Sequence, residues 1–329
     1  MGIKYGLFIR ILLFSILFSM HSSNSWGTVV LKLGHADPPF LPVSKGAERF
    51  ARNVESMSGG KMKVEVFPSG TLGSLLSLIP QVENGVIDFA IVPTRAIVPR
   101  VNKAIILELP FLFSSYEEVD RFLEGKVGTS ILGLLSKTRL QGLSYFELGF
   151  VGIASRKQAI RKVEDYKGLK IRIGTPEMIE KSVALLGAST IKLPLAEVYT
   201  ALERGVADAA LTTTLTYDYF KYNEILPFLS LTNHLYASYV LIMNQKRLAS
   251  LSPELNAIIS EAAMDASRYE RELSRKNENS ILEDMEKKGV TVVRDPDRES
   301  MRKSVDPVYE ETRKRLDCED CKIFPWCCL

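Results

Sequence analysis

The chain has 329 residues, of which 46% are hydrophobic and 25% charged, and this composition is typical of a soluble globular protein large enough for two domains. Its formal charge is +3, and no basic block is dense enough to suggest nucleic-acid binding, so we expect no nucleic-acid partner.

The four cysteines are Cys318, Cys321, Cys327 and Cys328, all close to the C-terminus. An exported protein normally oxidises its cysteines, so we expect disulfides within this tail or between two chains. The spacing could also hold a metal ion, but no histidine lies nearby, and we expect neither a metal nor another cofactor. The core has no cystine and must be stabilised by apolar burial.

Residues 1–25 have the features of a cleaved signal peptide. Lys4 and Arg10 form a basic head, residues 11–20 form an apolar run too short to span a bilayer, and Ser23-Asn24-Ser25 offers a cleavage site. We exclude this segment from the fold and expect the mature protein in the periplasm.

Alternating apolar residues predict strands, and apolar residues at helical spacing predict helices. In chain order we predict a strand at 29–35, a helix capped by Ser44, a strand at 62–68, a helix at 75–83, a turn and strand at 85–94, an apolar strand and turn at 105–113, a helix at 116–123, an extended run at 143–154, a strand at 169–173, a helix at 176–186, a strand at 190–194, a helix at 196–204, a turn and strand at 205–214, a strand at 239–244, a helix at 253–288, a strand at 290–293 and a helix at 297–315.

Two segments of the chain, 83–94 and 203–214, share Glu, Gly, Val, Asp, Ala and Thr in register. Each follows a helix, and before that a strand ending at Pro68 or Pro194. This predicts two similar α/β lobes. The alternative is a chance similarity, because a helix followed by a turn and a strand is a frequent local pattern. The apolar pattern at 253–288 predicts one helix of roughly 54 Å that lies across both lobes, or two helices broken near 277–279.

The strand at 169–173 supplies the main candidate for a ligand contact. Leu169, Ile171 and Ile173 alternate with Lys170 and Arg172, so the two cations share one face. In open α/β sheets, ligands bind at the carboxyl ends of the strands, and a guanidinium can form two parallel hydrogen bonds with a carboxylate. The alternative is a solvated surface arginine.

An ordered set of stretches across 29–316 resembles the periplasmic solute receptors of tripartite ATP-independent periplasmic (TRAP) transporters, the DctP-type family. The matching stretches are LKLGH at 31–35, GGK at 59–61, VFP at 66–68, LG at 72–73, ELPFLF at 108–113, KGLKIRI at 167–173, EVYTAL at 197–202, GVAD at 205–208 and SLTNH at 230–234.

The resemblance implies two α/β lobes of the periplasmic-binding-protein type II kind, joined by crossing strands and a long helix, with the ligand cleft between them. We expect lobe I at 26–148 plus 238–276, lobe II at 149–237 plus 277–316, and a tail at 317–329. It also implies that the protein is no enzyme, closes over a small organic acid and delivers it to a membrane permease. We expect a monomer, and a dimer stays open.

The resemblance assigns the ligand carboxylate to Arg172. The family often has a second arginine where this chain has Val151, and Glu-Asn-Pro where it has Leu211-Thr212-Thr213. Each lost polar group is one fewer partner for a polar ligand. We therefore expect a monocarboxylate with a small or mostly apolar body rather than a sugar acid or a dicarboxylate, unless Lys192, Thr213 or a water supplies the contacts.

Other residues are weaker candidates for the ligand site. The hydroxyls at the ends of the repeated strands belong to Thr94, Thr212 and Thr213, and the possible walls are Phe150, Leu195 and Tyr236. Ordinary strand-end and core roles stay open for all of them. His35 and His234 are expected to be structural, and no catalytic set is evident. Besides a permease receptor, a module that feeds a sensor and an exported hydrolase remain alternatives.

Overall fold

The structure is a computed structural model that describes residues 27–174, 177–194 and 197–316. The predictions for the signal peptide at 1–25 and for the Cys-rich tail at 317–329 concern residues outside these ranges. No helix within them combines the length and apolar character that crossing a membrane requires.

The described residues form one mixed sheet flanked by helices. Its strands are β1 (Val29–Gly34), β2 (Met62–Phe67), β3 (Phe89–Pro93), β4 (Leu140–Ser155), β5 (Lys170–Ile173), β6 (Ser189–Lys192), β7 (Ala209–Thr213), β8 (Phe228–Asn244) and β9 (Thr291–Val293). The helices are α1 (Pro42–Met57), α2 (Leu75–Glu83), α3 (Tyr116–Leu123), α4 (Lys126–Leu134), α5 (Glu177–Leu185), α6 (Val198–Glu203), α7 (Thr214–Tyr219), α8 (Gln245–Ala249), α9 (Pro253–Lys287), α10 (Arg298–Ser304) and α11 (Asp306–Arg315).

The strand order, β2-β1-β3-β8-β4-β7-β5-β6, has the same parallel unit at both ends. β1 pairs in parallel with β2 and β3, and β5 pairs in parallel with β6 and β7. The sequence repeat accounts for this likeness, because its offset of 120 residues carries β3 onto β7. The prediction of two similar α/β lobes is confirmed.

β4 and β8 join the two lobes at the centre of the sheet. They pair with each other antiparallel over most of their length, and β8 reaches β3 on one side while β4 reaches β7 on the other. Register shifts interrupt the ladder at three points, one of them between Glu147 and Gly149. Gly149 has φ +100°, a conformation that side chains disfavour, so glycine suits this irregular point.

The long helix is continuous, as the first of the two alternatives predicts. α9 has 35 residues, and Ser252 caps it by accepting a hydrogen bond from the Leu255 backbone N–H. It packs on α1 and β4 and, further along, on α7 and β9. The helix therefore contacts both lobes.

Three local predictions are wrong. The single helix predicted at 297–315 is two helices, α10 and α11, which are separated at Val305. The helix predicted to be capped by Ser44 begins earlier, at Pro42, and the Ser44 hydroxyl instead donates to the Pro38 carbonyl. The apolar run at 105–113 is not a strand, because residues 102–108 form a 3₁₀ helix. Successive residues of this turn face different cores: Ile106 packs with one lobe and Leu107 with the other.

Candidate functional site

A cavity of about 810 Å³, the central cavity, lies where the ends of strands from both lobes meet. The first lobe contributes the segments after β1 and β3, and the second contributes the ends of β5, β6 and β7. Its polar and charged wall residues include Asp37, Arg95, Glu108, Arg172, Lys192, Thr212, Thr213, His234, Ser238 and Tyr239. Such a cavity is large enough for a small organic molecule.

Arg172 lies in the wall of the central cavity. It is on β5, between Ile191 of β6 and Ala210 of β7, and only 8% of the residue is exposed. Nε and Nη2 donate to the Leu193 carbonyl at 3.1 and 2.7 Å. Within the described ranges no carboxylate lies within 4.0 Å of the guanidinium. The alternative of a solvated surface arginine therefore does not hold.

The charge on Arg172 persists in this enclosed position. Burial lowers the pKa of Arg172, and the neighbouring Tyr222 opposes that shift. An arginine stays protonated in proteins even so, because its pKa begins so high. The second lobe thus presents a buried cation with N–H groups to spare, which is what an anionic ligand requires.

Three more predicted residues line the central cavity: Val151, Thr212 and Thr213. Val151 of β4 lies opposite Thr213 of β7. The Thr213 hydroxyl caps α7, because it accepts from the Thr216 N–H at 3.2 Å and bonds to the Thr216 hydroxyl at 2.9 Å. Thr212 donates to the Thr213 carbonyl at 3.1 Å. These hydroxyls therefore shape the end of β7 as well as the cavity wall.

Two predicted wall residues lie instead in the apolar core. Phe150 and Tyr236 face each other across β4 and β8, with ring centroids 5.4 Å apart, and neither is among the residues that line the cavity. The Tyr236 hydroxyl donates to Glu147 at 2.6 Å. Because side chains alternate along a strand, Phe150 points away from the cavity when Val151 lines it. Leu195 lies outside the described residues.

Thr94 does not line the cavity but forms hydrogen bonds with two residues that do. It is 1% exposed and is not among the lining residues, but its hydroxyl is 3.0 Å from Glu108 Oε1 and 3.0 Å from the Ser238 hydroxyl, and both of those residues line the cavity. Its place directly after β3 matches the prediction. The structure brings it to the residues beside the cavity rather than to the cavity itself.

The sequence analysis missed three charged residues of the first lobe, namely Asp37, Arg95 and Glu108. Burial raises the pKa of Asp37 to about 6 against the opposing effects of Tyr239 and Arg95. Burial also raises the pKa of Glu108, although Arg95 and the Thr94 hydrogen bond work against the shift. One signal was available for Glu108: it is the lone acid in the apolar run at 105–113.

His234 also lines the cavity, and its ring is fixed in position and stays neutral. Nδ1 lies 2.9 Å from the Thr232 hydroxyl, and burial, helped by the charge of Arg298, lowers the pKa of His234 to about 3. The ring is therefore neutral at physiological pH. Across the described residues, no group of three or more His, Cys, Asp or Glu side chains is placed to hold a metal ion.

A buried ion network lies behind the cavity, where β4 crosses β8 and α9. The Glu147 side chain is fully buried and lies 3.0 Å from Arg275 of α9, which also forms a double hydrogen bond with Asp120 of α3. Further along α9, Glu278 accepts hydrogen bonds from Tyr116 of α3 and Thr214 of α7. The long helix is thereby bonded to both lobes.

Comparison with known proteins is consistent with this geometry. Residues 33–315 match the family model DctP, described as bacterial extracellular solute-binding protein, family 7. The chain is 30% identical over 302 residues to the 2,3-diketo-L-gulonate-binding periplasmic protein YiaO of Escherichia coli, which covers 91% of this chain and 89% of that protein.

Solved structures are similar over nearly the whole chain. A TRAP periplasmic solute-binding protein from Ochrobactrum anthropi has a TM-score of 0.86 and 31% identity, with 90% of this chain and 93% of that chain covered. A second, from Roseobacter denitrificans with bound β-D-glucuronate, has a TM-score of 0.80 and 27% identity, with 87% and 95% covered.

Proposed function

The chain belongs to family 7 of the bacterial extracellular solute-binding proteins, the DctP family of TRAP receptors for small organic acids, and we propose that its own ligand is a monocarboxylate held by Arg172. The observation that carries the proposal is the state of this side chain. The residue lines the central cavity and is 8% exposed, and its guanidinium bonds only to a backbone carbonyl among the described residues. Burying a cation without a charged partner is unfavourable, and an anionic ligand would supply that partner.

The choice of a single carboxylate rests on the cations of the second lobe. Lys192 also lines the cavity, but its ammonium already lies 2.6 Å from Glu180, and Val151 is at the position where the family resemblance implies a second arginine. This leaves one anchor on the second lobe. Ligands bound by two of the similar proteins, diketogulonate and glucuronate, also carry a single carboxylate, which supports the same choice.

Closure of the two lobes over the ligand would bury the ion pair. The proposed lobes are 26–148 plus 238–276 and 149–237 plus 277–316, so β4, β8 and α9 carry the connections between them. Ligand binding shifts a receptor of this kind toward its closed form because only that form makes both sets of contacts. We propose that 1–25 is a cleaved signal peptide, that the receptor acts in the periplasm, and that it passes the acid unchanged to a membrane permease.

A thermal-shift screen of monocarboxylates and dicarboxylates with four to six carbon atoms tests this function. A monocarboxylate present at 100 times its Kd should add about 2.7 kcal/mol to the free energy of unfolding. Calorimetry then gives the Kd of each hit, and proton NMR of the recovered ligand should show that it is unaltered. Stabilisation by dicarboxylates alone, or conversion of the bound acid to a product, would contradict the proposal.

A further inference from the structure

We infer that Phe40 and Tyr219 form an aromatic gate over the central cavity and that the contact between their rings slows the release of a bound acid. Phe40 lies between β1 and α1 in the first lobe, and Tyr219 ends α7 in the second. Their ring centroids are 5.0 Å apart, and the ring planes are inclined by 40°. The inference rests on the proposed function, because it concerns how long the cavity keeps the acid that the receptor carries.

The gate lies where the central cavity meets the solvent. Phe40 is 55% exposed and Tyr219 is 42% exposed. Tyr219 also lines the cavity, and so do residues close to both rings along the chain, namely Pro38, Leu41, Thr216 and Phe220. Exposed rings whose chain neighbours face the cavity lie at the edge of its opening. The contact therefore closes this edge from one lobe to the other.

A stiff turn in the first lobe presents Phe40. The turn is closed by a hydrogen bond from the Leu41 N–H to the Pro38 carbonyl at 3.1 Å, and the same carbonyl accepts from the Ser44 hydroxyl at 2.6 Å. Pro39 precedes Phe40, and its ring restricts the backbone of the turn. The Phe40 backbone is therefore fixed before the ring meets the second lobe, which lowers the entropic cost of the contact.

Helix α7 positions Tyr219 on the other side of the opening. The helix has six residues, and the Thr213 side chain caps its start. The Thr214 hydroxyl donates to Glu278 of α9 at 3.0 Å, which fixes the first turn against the long helix. The Tyr219 ring also packs edge-on against Phe220, with centroids 4.7 Å apart. Both rings of the gate are thus held by their own lobe in the place where they meet.

Neither ring of the gate belongs to the hydrophobic core. Phe40 and Tyr219 are absent from all four clusters of core residues in the described ranges, so their contact does not serve to fill a core. Aromatic rings are unfavourable in water, and each of these rings covers part of the other. Both would become more exposed if the lobes moved apart. The contact therefore stabilises the arrangement in which the lobes are together.

The gate acts on release of the acid rather than on its entry. An acid enters while the lobes are apart and the rings do not touch, so the association rate does not depend on the contact. Release requires the lobes to separate, which breaks the contact between the rings. Loss of an aromatic contact corresponds to about tenfold in an equilibrium constant, or about 1.4 kcal/mol, and here it should appear in the dissociation rate.

Stopped-flow intrinsic fluorescence on the full chain measures both rate constants, with D-glucuronate, D-erythronate and hexanoate as the probes. Phe40→Ala is the decisive variant, because Phe40 is not among the residues that line the cavity. For the probe that the parent protein binds most tightly, this variant should raise the dissociation rate about tenfold and change the association rate by less than about threefold. The thermal midpoint of the free variant should match that of the parent, because an exposed side chain outside the core is removed.

Three further variants isolate the contact between the two rings. Adding Phe40→Ala to Tyr219→Ala should not speed release further, because the contact is already lost. Tyr219→Phe keeps a ring and should stay closer to the parent rate than Phe40→Ala does. Val86→Ala is the matched control, since Val86 is a 64% exposed apolar residue before β3, at the end of that strand away from the cavity, and it should leave both rates unchanged.

The outcomes separate the gate from the proposed function. If a probe binds but Phe40→Ala leaves its dissociation rate within about twofold of the parent rate, the gate is refuted and the receptor function stands. The same holds if Phe40→Ala speeds release equally in the parent and in Tyr219→Ala, or if it lowers the thermal midpoint of the free protein, because its role is then a structural one. If none of the three probes binds, the proposed function fails, and the gate fails with it.

Discussion

Replacing Arg172 by glutamine removes the proposed anchor while keeping a side chain of similar length. The guanidinium has five N–H groups, of which two bond to Leu193, so the remaining ones can hold a carboxylate. Leaving a ligand carboxylate buried without its partner costs about 3 to 5 kcal/mol. At about 1.4 kcal/mol per factor of ten, this corresponds to a rise in Kd of about 10²- to 10⁴-fold.

Isothermal titration calorimetry on the best monocarboxylate measures this change. Arg172→Lys should recover only part of the affinity, because an ammonium group cannot reproduce the paired hydrogen bonds of a guanidinium. Lys192→Gln is the matched control, since Lys192 lines the same cavity but its ammonium is already paired with Glu180, and we expect less than a tenfold effect. The thermal midpoint of free Arg172→Gln should fall only slightly, because the substitution disrupts the hydrogen bonds to Leu193 but breaks no ion pair among the described residues.

A Kd for Arg172→Gln within threefold of the parent value would refute the reasoning. So would an equal loss in Arg172→Gln and Lys192→Gln, because the effect would then come from the general charge of the cavity. Either result would place the carboxylate elsewhere, and Arg95 of the first lobe would be the next residue to replace.

Three other outcomes follow from the structure. Val151→Arg adds a second guanidinium to the cavity and should raise the affinity for dicarboxylates at least tenfold relative to monocarboxylates by calorimetry; unchanged selectivity would count against its position there. Glu147→Ala leaves Arg275 with part of its buried partners missing, so urea denaturation should show a loss of about 3 kcal/mol, and a loss below about 1 kcal/mol would contradict this. The folded-state pKa of Asp37 is about 6 against about 4 when unfolded, so the unfolded chain releases its proton first and stability falls by about 2 to 3 kcal/mol as pH rises from 4 to 6. Asp37→Asn should lack that part of the pH dependence in thermal melts, whereas identical pH profiles would disprove it.

The two walls of the cavity carry opposite charges. The second lobe carries Arg172, and the first carries Asp37 and Glu108. A ligand that bonds to both walls does so only when the lobes are together, so its binding energy contributes to closure.

The sequence was sufficient wherever a pattern is local or repeated. The two similar segments, 120 residues apart, predicted a turn and a strand at 85–94 and at 205–214, and β3 and β7 lie within these ranges because the same turn and strand chemistry recurs there. The apolar stripe at 253–288 predicted the long helix as one of two alternatives, the other being two shorter helices. The alternation around Arg172 predicted its strand, and the resemblance to a known family indicated its role.

The tertiary structure decided which face of each strand meets the cavity, a point that the alternation of side chains leaves open. A period of two assigns neighbouring residues to opposite faces of a strand but does not say which face meets a cavity, so Val151 and Phe150 could not be told apart. Only the pairing of β4 with β8 puts Phe150 against Tyr236 in the core.

The charged wall of the first lobe also depended on folding. Asp37, Arg95 and Glu108 lie on three separate segments, after β1, after β3 and in a 3₁₀ helix that the apolar pattern made resemble a strand. By itself the sequence determined the two lobes, the apolar stripe of the long helix and the strand that carries Arg172, because local periodicity and an internal repeat encode them. The continuity of that helix was left to the structure. The tertiary structure alone decided which charges surround the cavity, because the order of strands in the sheet, and not their order in the chain, brings those segments together.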